Sequence, residues 1–127
     1  MTDLPPVPGS LTFEDGLIGL PGLHQFTVRL LEETPFYLLD SLDDDTFGVV
    51  AADGDAVRPG FAAELGAEGL AAEAERVIVI VSVHGDPPSM TANLAGPVVL
   101  DPATGAARQV VLEGDGYPLR APIWEPG

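Results

Sequence analysis

The sequence predicts a mostly β fold: a small closed or partly open β-barrel of about eight short strands with one short helical insertion. Short apolar and β-branched runs recur at intervals of about 8–12 residues, the spacing of a barrel or sandwich. Fifteen glycines and thirteen prolines punctuate those runs. Only residues 58–75 change character, being rich in Ala, Glu and Leu with no β-branched residue. Strands do not alternate with helices along the chain, so a parallel α/β sheet is not expected.

The 127 residues suit one domain with a real core. Residues 1–9 carry three prolines and read as a flexible leader, residues 10–124 as the domain and residues 125–127 as a tail. Ser10 to Phe13 is the first strand. Asp15-Gly16 and residues 19–22 are turn punctuation. Phe26 to Leu31 and Phe36 to Ser41 are the next strands, followed by a polar turn at Asp43 to Asp45. Thr46 to Ala52 is a fourth β run, and Asp53-Gly54-Asp55 reads as another turn. Arg58 to Glu75 is the helical insertion, interrupted near Gly66 and Gly69, because glycine costs about 1 kcal/mol inside a helix. Arg76 to Val83 carries Val, Ile, Val, Ile and Val in succession and predicts a strand buried on both faces. Met90 to Ala95, Pro97 to Leu100 and Arg108 to Glu113 complete the set.

Charge is the strongest compositional signal. Twenty acids face five bases, all arginine, for a net charge of −15. Such a chain repels phosphate, so direct nucleic-acid binding is not expected. It favours encounter with a basic partner. Twelve of the acids fall between Glu32 and Glu75, where only Arg58 opposes them. Asp43, Asp44, Asp45, Asp53 and Asp55 sit densely on predicted turns and are the candidate contacts for such a partner. Asn93 and Gln109 are of the type that satisfies backbone groups beside turns, and they are the other two candidate contact residues. The sequence has no cysteine, which removes disulfides and thiol chemistry. No basic segment followed by an apolar run opens the chain, so no secretory signal is read. The longest apolar run, Val77 to Val83 with Ser82 inside, is too short to span a bilayer.

Catalytic patterns fail on chemistry. A calcium loop opening at Asp43 matches its glycine at Gly48, but Phe47 and Gly54 stand where ligands are required. Ser82, His84 and Asp86 are spaced by two, which on a strand keeps them too far apart for a triad. His24 and His84 are the only histidines and form no zinc spacing. The glycines of residues 16–22 precede a strand rather than a helix, so no phosphate cradle forms. The expectation is a non-enzymatic protein with no metal and no cofactor. A carboxylate-dependent hydrolase would need a deep cleft with convergent acids, and an acidic scaffold for some other basic protein would show the same charge.

Four segments, in order, resemble the FliW family of flagellar assembly factors. They are Phe13-Glu14-Asp15-Gly16-Leu17-Ile18-Gly19-Leu20-Pro21-Gly22, then Phe36-Tyr37-Leu38-Leu39-Asp40-Ser41-Leu42-Asp43-Asp44, then Arg58-Pro59-Gly60-Phe61, and the Ser89 to Arg120 stretch. The last holds Thr91, Asn93-Leu94, Pro97, Gln109, Tyr117 and Arg120. The chain departs from the pattern at Leu23, where an aromatic is usual, at Asp40 in place of glutamine and at Asp45 in place of proline. The resemblance implies a barrel-like cytoplasmic monomer that binds flagellin and also binds CsrA, a small basic RNA-binding translational repressor. Flagellin export would free the protein to capture CsrA and relieve repression of flagellin synthesis.

Overall fold

The computed structural model describes residues 9–18, 20, 22–72, 75–84, 89–114 and 116–124. The expected leader (but for Gly9) and the tail lie outside them, as does Asp86. Among the described residues nine strands and two short helices follow in order: β1 (Ser10–Phe13), β2 (Gln25–Leu30), β3 (Phe36–Ser41), β4 (Gly48–Asp53), α1 (Gly54–Val57), α2 (Phe61–Ala67), β5 (Arg76–His84), β6 (Ser89–Ala92), β7 (Val98–Leu100), β8 (Ala106–Gln109) and β9 (Ala121–Trp124).

Seven strands close a ring in the order β4-β3-β2-β1-β8-β7-β5, sealed by pairing of β5 with β4. All neighbours are antiparallel except β1 and β8, which run parallel with Thr12 opposite Ala106. β5 is long enough to fork the sheet. Its first half pairs Ile78 with Val98 of β7, and its second half pairs Val81 with Ala92 of β6. β9 adds to the far side of β6. Full closure removes most of the unpaired edges that make open sheets prone to association.

Two apolar clusters lie on opposite faces of β5. Leu11, Phe13, Phe26, Tyr37, Leu39 and Ile78 fill the barrel with side chains from β7 and β8. Val77, Val79 and Val81 point outward, where Phe61 and Leu65 of α2 cover them together with Leu94 and Ala121. This two-sided burial is why the β5 sequence shows no polar alternation. Inside the barrel, Phe26 meets Phe13 edge-on at 5.6 Å and Phe47 at 6.3 Å between ring centroids.

The helical insertion begins earlier and ends sooner than expected. Residues 53–55 are no free turn: Asp53 caps α1, accepting the Ala56 amide at 3.1 Å. The helix breaks at Gly60 and stops before Gly69, both in left-handed backbone that favours glycine. Gly54 is required for another reason. A Cβ there would stand 2.9 Å from the Val77 carbonyl oxygen and 3.0 Å from its Cγ1. Gly54→Ala must push α1 off β5, and urea titration is expected to show a loss of about 1–3 kcal/mol. An unchanged midpoint would mean that α1 is free to move outward.

A strand in the last quarter of the chain is displaced too. The strand expected over Arg108 to Glu113 begins at Ala106 instead and ends at Gln109 as β8. The run continues as irregular backbone, with the Val110 amide on Pro97 O and the Leu112 amide on Ala95 O. No helix among the described residues is long and apolar enough to cross a membrane.

Candidate protein-interaction surface

The expected acidic contacts separate to two ends of the barrel. Asp43, Asp44 and Asp45 lie in the β3–β4 turn, whereas Asp53 and Asp55 lie at the other end of β4. That strand spans about 16 Å, so the five carboxylates do not form one patch.

The β3–β4 turn is built to present charge. Ser41 Oγ accepts the Asp43 and Asp44 amides at 3.1 and 3.0 Å. Asp43 Oδ2 accepts the Gln25 and His24 amides, each at 2.8 Å. Asp44 Oδ1 accepts the Thr46 hydroxyl at 2.6 Å and its amide at 3.0 Å. Backbone amides from Gln25 and His24 hold the Asp43 carboxyl below the usual range. The Thr46 hydroxyl, then its amide, does the same for Asp44. Both stay ionised, exposed and fixed in direction, and Asp45 beside them is exposed. What these two anions add to stability is present above the ordinary carboxylate value and fades as the pH falls through their lowered values.

Asp53 is a correction to the exposed set. It is only 8% exposed, because its place is inside the barrel end as the cap of α1. Asp55 is exposed but accepts the Ala62 amide at 2.9 Å, which ties α1 to the first turn of α2. Burial pushes the Asp53 carboxyl up, against the pull of the Ala56 amide. Burial, and then the charge of Asp53, pushes the neighbouring Tyr37 phenol up to about 12. The folded state therefore holds the Asp53 proton more tightly than the unfolded chain does. Stability falls as pH rises through that window, and the full penalty applies at neutral pH. Asp53→Asn keeps an oxygen for the Ala56 amide and removes the charge. Its thermal midpoint is expected above the parent's at neutral pH, with the gap closing as pH drops below 3.8, the ordinary value. A variant that melts lower at neutral pH would show that Arg76, whose Nε is buried without a partner, needs that charge nearby.

Asn93 and Gln109 meet around Gly96. Asn93 Oδ1 accepts the Gly96 amide at 2.9 Å. Gln109 Nε2 donates to Gly96 O, and its Oε1 accepts the Ile18 amide, both at 2.9 Å. Gln109 thereby pins the loop after β1 to the end of β8. The two residues do the backbone work that their side chains suggest.

Sequence reasoning missed the clamp centred on Arg58. Its guanidinium grips Glu64 through Nε at 2.7 Å and Nη2 at 3.1 Å, and Nη1 donates to Gly116 O at 2.9 Å. It lies 4.9 Å over the Tyr117 ring, which stacks on Phe61 at 6.1 Å. An arginine beside a helix start and a tyrosine 59 positions later carry no local signal of that meeting.

Among the described residues no group of three or more His, Cys, Asp or Glu could hold a metal ion. The described residues thus form a closed, acidic seven-strand barrel with fixed surface carboxylates and a clamped outer layer. Comparison with known proteins gives the family. The FliW protein family matches residues 7–123, and the chain belongs to that family of flagellar assembly factors. A relative in Desulfotalea psychrophila, flagellar assembly factor FliW 2, is 33% identical over 89% of this chain and 79% of its own length. The flagellar assembly factor FliW of Geotalea uraniireducens is 35% identical over 92% of this chain and 80% of its own. A crystal structure of the flagellar assembly factor FliW shares the fold, with a TM-score of 0.70 at 24% identity over 92% of this chain and 86% of the other.

Proposed function

We propose that this chain is a cytoplasmic, monomeric flagellar assembly factor that binds flagellin and, when free of it, captures the basic repressor CsrA. Membership of the FliW family supports the role in flagellar assembly. The observation that carries the choice of a basic partner is the β3–β4 turn, where Asp43 and Asp44 are held ionised and exposed on a chain of net charge −15. Fixed anions held against a basic RNA-binding protein raise the cost of bringing phosphate to it. They also speed encounter, at a salt-dependent rate.

The test is calorimetry and a pull-down with CsrA and flagellin from the same source, at low and at physiological salt. Capture of CsrA is expected to weaken as salt rises. Joint replacement of Asp43, Asp44 and Asp45 by Asn, which keeps the turn's acceptors, is expected to weaken it about tenfold with the fold intact. Flagellin is expected to displace CsrA. No complex at low salt would overturn the reading, and a stable ternary complex would overturn its switch.

A further inference from the structure

A groove of about 650 Å³ runs along the outside of the parallel β1–β8 seam. Small residues line its floor: Ala106, which stands opposite Thr12, and Ala107. The loop after β1 makes one wall, with Glu14, Asp15 and Ile18. Glu75 and Arg108 stand in the other, and Asp101 lies at the β7–β8 end.

The charge of this groove is unbalanced. Among the described residues that line it Arg108 is the one cation, and that cation is already committed. Nη1 and Nη2 grip Glu75 at 2.8 and 3.1 Å, and Nη2 also donates to Leu70 O at 2.8 Å. The two ion pairs found among the described residues are this one and Arg58–Glu64, so Glu14, Asp15 and Asp101 face the groove without a described counter-ion. Ile18 adds an apolar surface, 55% exposed, on a loop whose backbone Gln109 holds still.

We propose that this groove receives an extended cationic segment of a partner protein, with arginine or lysine heads on Glu14, Asp15 and Asp101 and an aliphatic stem against Ile18. An extended occupant reaches both the carboxylates that follow β1, Glu14 and Asp15, and Asp101 just before β8. The chemistry requires a positive head on an apolar stem, which arginine and lysine provide. The β3–β4 turn lengthens the same acidic rim: Asp43 is bonded to the His24 amide, and the His24 carbonyl accepts the Phe13 amide just before Glu14. The assignment rests on the reading that a basic partner is captured, and it gives that partner a place to bind.

The test uses the full chain and a fluorescein-labelled octapeptide of alternating Arg and Ala, followed by anisotropy at about 50 and 300 mM salt. The variant Glu14→Gln/Asp15→Asn/Asp101→Asn removes three groove charges and keeps the Asp101 oxygen that accepts the Ala103 amide. The control Glu32→Gln/Glu33→Gln/Glu113→Gln removes three exposed charges outside the groove. The groove variant is expected to bind at least about tenfold more weakly, and the control within about threefold of the parent. Amide shifts in NMR are expected to concentrate on residues 12–18 and 101–109. Equal losses in the two variants, or no binding by the parent, would overturn the proposal. The same variants separate it from the functional reading when CsrA is the bait. Equal capture by parent and groove variant removes the groove and leaves the reading. Peptide binding that the groove variant loses, with no CsrA capture by the parent, removes the reading and leaves the groove.

Discussion

Phe26→Ala is expected to lower stability by about 3–5 kcal/mol, a large share of the about 5–15 kcal/mol that holds a domain of this kind together. Phe26 is fully buried and touches two other aromatic rings, Phe13 and Phe47, at edge-on geometry. Its removal leaves a void in the middle of the ring, where every wall is a hydrogen-bonded strand and none can collapse inward cheaply. The loss should be global: circular dichroism, intrinsic fluorescence and the urea midpoint should shift together. A loss below about 1 kcal/mol would mean that Phe47, which is only partly buried, swings in to fill the space.

Phe61→Ala is expected to cost a similar amount, about 3–5 kcal/mol, but to spread it differently. Phe61 opens α2 and is fully buried in the outer cluster. It supports the Tyr117 ring, and Arg58 lies over both aromatics. A seven-residue helix has no stability of its own, so α2 depends on this packing. Hydrogen exchange should accelerate in residues 61–67 and 116–118 before the barrel strands respond. Uniform acceleration across β1 to β3 would show that the two layers unfold as one. Because β5 separates Phe26 from Phe61, the two losses should add within about 0.5 kcal/mol.

Most strands were legible because their signal is local. Ser10–Phe13 and Phe36–Ser41 carry turn residues at both ends and buried residues at alternate positions. The Val-Ile succession of β5 marked its two buried faces. β9 was not foreseen: Ala-Pro-Ile-Trp is short, and its proline argues against a strand until one sees that it lies at the edge of the sheet. α1 was hidden because Asp-Gly-Asp reads as a turn by composition, and only the Ala56 amide reveals Asp53 as a helix cap. The acidic surface was half legible. Asp43 to Asp45 lie on an exposed turn as their density suggests, but Asp53 is buried through its position on the inward face of β4, which sequence density does not reveal. The groove was not legible at all. It depends on strands 94 positions apart in the chain, and only the Thr12–Ala106 pairing brings its walls together.

That pairing also sets a clock. The first strand of the ring has its second neighbour only when residue 106 has been made. At about 5–20 residues per second, β1 waits roughly 5–20 seconds on the ribosome with one side unpaired. Until then the β1–β2–β3 meander is an open sheet. A stalled or truncated product that ends before Ala106 would keep that edge bare, which makes synthesis, rather than the finished barrel, the stage at which this protein is most exposed to self-association.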